Sequence, residues 1–300
     1  MRTRHALLAG LLALALGAAG CGPSAGGASE ATVDRFDERR AFAELARQVA
    51  LGPRPAGSAA SRRLAARLRR ALPAGRLERV PGGLRNVVGR LPARGRGARA
   101  KAIVVAAHYD TKDIPGFVGA NDGASGTATV VELARALAAR PAPAHRPEIR
   151  FVLFDGEESP RGSRDFLRDG LRGSRAYLAA HRREIGRVVL LDFVGDRDLS
   201  LPREAGSDPA LWSRLRAAAR RVGVGAVFPP LSRGVVLDDH TPFTRAGIPA
   251  IDLIDFDYPY FHTVDDTLDK VSADSLDAVG EAVLELLLRL SREAAGPPQR

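Results

Sequence analysis

Three apolar runs in this chain stop on residues that can bind a metal or move a proton. Residues 151–154 are Phe-Val-Leu-Phe, followed at once by Asp155-Gly156-Glu157-Glu158. Residues 103–107 run into His108-Tyr109-Asp110, and residues 188–191 end on Asp192. Asp122 lies in Gly119-Ala120-Asn121-Asp122-Gly123, Asp238 opens Asp238-Asp239-His240, and His262 follows an aromatic stretch ending on Phe261. Taken alone, Glu157 and Glu158 could be a solvated acidic loop. Beside a buried strand, two adjacent carboxylates are costly unless a cation accompanies them. His108, Asp122, Glu158, Asp192 and His262 form a nitrogen and oxygen set without thiolate, suited to zinc. Glu157 has no need to ligate and is placed as a general base, a role typically worth about 10²- to 10⁴-fold in rate. Zinc in such a set lowers the pKa of a bound water to about 7 or polarises a substrate carbonyl.

These residues need elements that bring them together. Unbroken apolar runs fit strands buried on both faces of a parallel sheet, and ligands of open α/β sheets gather at the carboxyl ends of such strands. His108, Glu157, Glu158 and Asp192 would then share one edge. Two positions apart on an extended segment, His108 and Asp110 project to the same side, so Asp110 is the expected partner that orients the imidazole. Asp122 precedes a helix over residues 124–140, where negative charge is favoured and simple capping is the alternative role. Helical spacing also marks residues 36–51, 58–72, 209–222 and 272–290, the last capped by Ser272. Residues 77–91 read as one or two edge strands, 199–201 as a short strand and 248–254 as the last strand. His145 and His181 are expected at the surface. The fold class expected is α/β: a single domain with a mixed, mostly parallel twisted sheet between helices on both faces, a three-layer sandwich.

The 300 residues allow a full core. Residues 1–20 read as an export signal: Arg2 and Arg4, then apolar residues 6–16, then small residues, a stretch too short to span a membrane. Ala18-Ala19-Gly20-Cys21 resembles the lipobox of bacterial lipoproteins, which makes the single cysteine, Cys21, the expected lipid attachment point. An ordinary signal with a chance cysteine is the alternative. Residues 21–34 read as a flexible tether and 35–300 as the catalytic domain, expected outside the cytoplasm and lipid-anchored to a bacterial membrane. The formal charge of +10 is 45 basic residues against 35 acidic ones, and of the basic residues only Lys101, Lys112 and Lys270 are lysines. The arginines are spread along the whole chain rather than gathered into a stripe, so no nucleic acid partner is expected.

In their order, the motifs resemble the co-catalytic zinc aminopeptidase clan from about residue 36 to the C-terminus. Within that clan the chain is most similar to the glutaminyl-peptide cyclotransferases. The cues are His108-Tyr109-Asp110-Thr111-Lys112, Phe117-Val118-Gly119-Ala120, Phe154-Asp155-Gly156-Glu157-Glu158 and Asp238-Asp239-His240-Thr241-Pro242-Phe243. The resemblance implies one zinc on Asp122, Glu158 and His262. It also implies that Glu157 carries a proton from the substrate α-amine to departing ammonia, with Asp192 and Asp238 in a hydrogen-bond network beside it. The substrates implied are peptides with a free N-terminus, glutamine favoured, which close to pyroglutamate. Phe261 stands in the substrate pocket, where the cyclases carry tryptophan. The alternative is a di-zinc aminopeptidase, in which Asp122 bridges two ions, His108 and Asp192 complete the second site, and Glu157 activates the attacking water. A lipid-anchored binding domain without catalysis would require lost ligands, and none is lost.

Overall fold

The computed structural model describes residues 34–294. The expected signal segment, Cys21, nearly all of the tether and residues 295–300 lie outside them. α1 (Glu38–Val49) starts at Asp37, whose carboxylate accepts from the Arg40 amide at 2.8 Å. α2 (Ala59–Ala71) starts at Ser58, whose hydroxyl accepts from the Ser61 amide at 3.0 Å. Both caps satisfy first-turn amides that no helical carbonyl reaches. Pro81-Gly82-Gly83 turns β1 (Arg76–Val80) back onto β2 (Leu84–Leu91), with both glycines at positive φ. β3 (Ala102–His108), α3 (Ala124–Ala138), β4 (Ile149–Phe154), the short α4 (Phe166–Asp169), α5 (Arg172–His181) and β5 (Ile185–Asp192) follow. The chain closes with α6 (Pro209–Arg221), α7 (Thr241–Arg245), β6 (Ala250–Ile254) and α8 (Ala273–Ala294).

The strands form one six-stranded sheet in the order β1-β2-β4-β3-β5-β6. β4, β3, β5 and β6 pair in parallel, while β1 and β2 add antiparallel to the β4 side. β4 lies on one side of β3 and β5 on the other, so the strand order reverses at β3. A crevice opens at the carboxyl ends there, the place where doubly wound sheets hold ligands.

Side-chain alternation splits the core in two. Ile103, Val105 and Ala107 of β3 join the large apolar cluster with α1, α2, α3, α6 and α8, while Val104 and Ala106 face the smaller cluster of Tyr177 from α5 and Phe243 from α7. Helices therefore cover both faces, as the apolar runs implied. α8 buries Leu276, Val279, Val283, Leu286, Leu287 and Leu290; truncating one such leucine to alanine typically costs about 2–5 kcal/mol. α3 packs against the sheet at Gly126, where a Cβ would stand 2.1 Å from the Leu191 carbonyl oxygen. Only glycine allows that approach.

Three expectations are corrected. Residues 199–201 form no strand, because the Leu201 amide bonds to the Val227 carbonyl in a loop rather than to a sheet neighbour. β2 is not an edge strand, since the hairpin places it between β1 and β4. His145 and His181 are half-buried: His145 Nδ1 accepts from the Arg96 amide, and His181 lies between Glu78 and Glu184 against the Tyr177 ring.

Candidate metal centre

Each chemically unusual residue of the sequence meets the others at the crevice. His108 ends β3, Glu157 and Glu158 follow β4, Asp192 ends β5, and Asp122 stands in the turn before α3. Asp122 lies between two imidazoles. Its Oδ1 is 3.3 Å from His108 Nε2 and its Oδ2 is 3.5 Å from His262 Nε2. His108 Nε2 is also 3.3 Å from Asp192 Oδ1, and His262 Nε2 is 3.1 Å from Glu158 Oε1. Two candidate metal triads result, His108/Asp122/Asp192 and Asp122/Glu158/His262, sharing one carboxylate.

The residues fit a divalent cation. Asp122 Oδ2 is buried and has no hydrogen-bond donor, a costly state that an ion relieves. His108 Nδ1 lies 3.1 Å from the Asp110 main-chain carbonyl, which can only accept. Nδ1 thus carries a proton, and Nε2 is the nitrogen that would turn its lone pair to a cation held among the acids. Asp110 orients His108 chiefly through its backbone. Its carboxylate does something else: it accepts the amides of Glu157 and Glu158 at 3.2 and 3.3 Å, fixing the turn that carries both. At Gly123 (φ 87°) a Cβ would stand 2.8 Å from the Asp110 carbonyl oxygen, so a side chain there would push Asp122 out of place. His262 itself sits at φ 53° and Phe193, next to Asp192, at φ 45°. Left-handed backbone at two non-glycine residues costs on the order of 1–3 kcal/mol each and clusters at functional sites.

Burial, then the charge of Glu158, pushes the Asp122 carboxyl up to about 7. The same two causes hold Glu157 well above the usual carboxylate range. Burial also acts against ionised Glu158, but the hydrogen bond from His262 and the charges of His262 and Lys112 outweigh it and lower its pKa. Lys112 Nζ donates to Glu158 Oε2 at 2.8 Å, leaving Oε1 to face His262. Burial disfavours the His108 cation, yet the Asp192 charge and the hydrogen bonds the ring donates to the surrounding carboxylates raise its pKa. Raised proton affinity makes the Glu157 carboxylate a stronger base than an ordinary glutamate, which suits a group that takes up a proton and gives it back.

These groups line a cavity of about 290 Å³. Lys112, Asp122, Glu157, Glu158, Asp192, Asp238 and His262 supply its polar wall. Phe261 stacks on the His262 ring at 3.8 Å and forms part of the apolar wall. Asp238 is pushed up to about 7, first by burial and then by Asp192.

Some contributors were not singled out from sequence. Asp266 accepts the amides of Asn121 and Asp122 at 2.8 and 3.0 Å, doing for that turn what Asp110 does for the Glu pair. Arg54 is fully buried and donates to the carbonyls of Gln48, Gly52, Val118 and Gly119, tying the end of α1 to the same turn. Behind Asp238, His240 stands 3.5 Å from Asp252 and 3.3 Å from Glu204. A polar residue amid apolar ones, Asp252 in Ala-Ile-Asp-Leu-Ile, was the available signal for that group.

Fold and site together define an α/β protein with a candidate metal centre at the carboxyl edge of its sheet. The pattern of peptidase family M28 matches residues 86–287, and the chain belongs to that family. It is 32% identical to the aminopeptidase YwaD of Bacillus subtilis over 196 residues, 60% of this chain and 39% of that protein. It is 31% identical to the glutaminyl-peptide cyclotransferase of Bothrops jararaca over 234 residues, 62% of each chain. The chain thus spans less than two thirds of these relatives' length. The crystal structure of a glutaminyl cyclase from an Acidobacteriales bacterium superposes with a TM-score of 0.74 at 32% identity, covering 92% of this chain and all of that one.

Proposed function

We propose that this chain is a zinc-dependent glutaminyl-peptide cyclotransferase, exported and lipid-anchored through Cys21. The observation that carries the reading is Asp238: beside Glu157 the cavity holds a further buried acid that belongs to neither of the two triads sharing Asp122. Both reactions take a proton from the nucleophile and return one to the leaving nitrogen, and Glu157 can do both. Cyclisation must in addition hold a free amine against the carbonyl of its own side chain, and Asp238 is a further hydrogen-bonding group in the cavity that can steady it. The likeness to the Acidobacteriales cyclase over its whole length supports the same reading.

Asp122, Glu158 and His262 would hold zinc, which when bound supplies a Lewis acid for the γ-carbonyl oxygen of an N-terminal glutamine. Glu157 removes a proton from the α-amine as its nitrogen attacks the carbonyl carbon of the γ-amide. It then delivers that proton to the γ-amide nitrogen, the carbon–nitrogen bond breaks, and ammonia and a pyroglutamyl peptide remain. Asp238 and Asp192 steady the amine and amide hydrogens in passage. Phe261 and the other apolar residues of the wall exclude bulk water, which would otherwise compete as the nucleophile.

The second triad favours one other reading, a di-zinc aminopeptidase in which His108 and Asp192 complete the second site. Incubating the protein with a Gln-initiated peptide separates the two. The cyclase releases ammonia and blocks the N-terminus; the peptidase liberates the first residue. Elemental analysis is expected to find one zinc per chain for the cyclase and two for the peptidase.

A further inference from the structure

The apolar surface of the molecule is not scattered. Among the described residues, the large apolar side chains that are exposed are Leu231, Val235, Leu237, Phe256, Phe261 and Val264. All lie on two loops, one leading into α7 and one leaving β6, and four of them line the cavity that holds the metal triads. Val235 is 69% exposed and Phe256 52%. Single exposed apolar residues need no explanation, but a contiguous collar at a cavity mouth marks a surface that something covers.

The collar continues outward. A second cavity of about 200 Å³ shares Val235, Val236, Ile254 and Phe256 with the first, so the two form one groove. Its walls also carry the buried Glu204 and Asp255 and the exposed pair of Asp257 and Arg233. A peptide whose N-terminal residue fills the first cavity advances about 3.3–3.6 Å per residue when extended, which brings its second side chain onto the collar. We infer that Val235, Leu237 and Phe256 read the second residue of the peptide, selecting large apolar side chains there and rejecting acidic ones. The occupant is the substrate itself because the groove is continuous with the reacting end. Three carboxylates against the one guanidinium of Arg233 in the second cavity give the charge preference its sign. This inference rests on the peptide-processing reading of the site, not on which of its two reactions takes place.

The test uses the zinc-loaded protein and six peptides, Gln or Leu at position one combined with Phe, Gly or Glu at position two, with ammonia and free N-terminal residue both measured. kcat/KM is expected to favour Phe over Gly by about tenfold or more, the scale of burying one large apolar side chain, with Glu slowest. Val235→Ser and Phe256→Ser are each expected to shrink the Phe/Gly ratio by about threefold or more, on the same scale. Calorimetric binding of the same peptides reads the groove independently of turnover, so a Phe preference without ammonia release would reject the cyclase and keep this inference. Equal rates and equal affinities for Phe and Gly would overturn it, as would a ratio unmoved by both substitutions. Flotation of the protein with phosphatidylglycerol vesicles, or dimerisation abolished by Phe256→Ser, without any peptide preference, would assign the collar to a lipid surface or a second copy instead.

Discussion

Glu157 and Glu158 are neighbours in sequence with opposite electrostatic fates. Glu158 is held ionised by His262 and Lys112, while burial keeps the Glu157 proton on well above the ordinary range. One side chain is thereby prepared to ligate and the other to exchange a proton. Glu157→Gln preserves shape and removes only the exchange. It is expected to bind zinc as the parent does and to lose about 10²- to 10⁴-fold in kcat; retained turnover at full zinc content would take the base role away from Glu157. Most of this site could be read from the chain alone, because each ligand follows an apolar run or a glycine-flanked turn whose end the physics of buried strands locates. The roles of Asp266 and Arg54 could not. Their partners are main-chain groups, and Asp266 acts across 145 positions of sequence. A carboxylate that binds amides leaves no residue pattern at its target.

At the scale of elements, the sheet supplies positions and two loops supply precision. β3, β4 and β5 fix where His108, the Glu pair and Asp192 emerge, and their apolar runs made those strands legible. The turns that aim the side chains are held by Asp110 and Asp266, each taking two successive amides. Periodicity said nothing of this, nor of residues 199–201, where apolar character reflects burial in a loop. Asp266→Ala would leave the amides of Asn121 and Asp122 without acceptors, and each buried unsatisfied amide costs about 1–3 kcal/mol. The variant is expected to melt several degrees lower and to bind zinc more weakly in a chelator competition. Asp265→Ala, at the exposed neighbour, is the control and should match the parent in both. Unchanged zinc affinity in a destabilised Asp266→Ala protein would confine Asp266 to stability and leave Asp122 positioned by the rest of the fold.

Over the whole molecule, the crevice gathers more negative charge than its own cations balance, and this gives the metal-free fold a characteristic pH dependence. Asp122 and Asp238 are pushed up to about 7 in the folded chain and Glu157 is raised well above the ordinary carboxylate range, all by burial first. Unfolded carboxyls titrate near about 4. Between those limits the native state binds more protons than the unfolded one, so stability is greatest at the acidic end and falls as pH rises through the window. His108 adds to the fall above about pH 6.5, because its folded pKa is also raised and its stabilisation is lost as it deprotonates. Glu158, with its lowered pKa, acts oppositely and only below its unfolded value of about 4.5. The EDTA-treated protein is therefore expected to melt higher at pH 5 than at pH 8, by at least about 5 °C if a few kcal/mol are at stake. Zinc should reverse the order: it competes with protons for the same carboxylates and imidazoles, so it raises Tm more at pH 8 than at pH 5. A metal-free protein that grew more stable from pH 5 to pH 8 would mean that these acids ionise without penalty. The crevice would then have no electrostatic need of a cation.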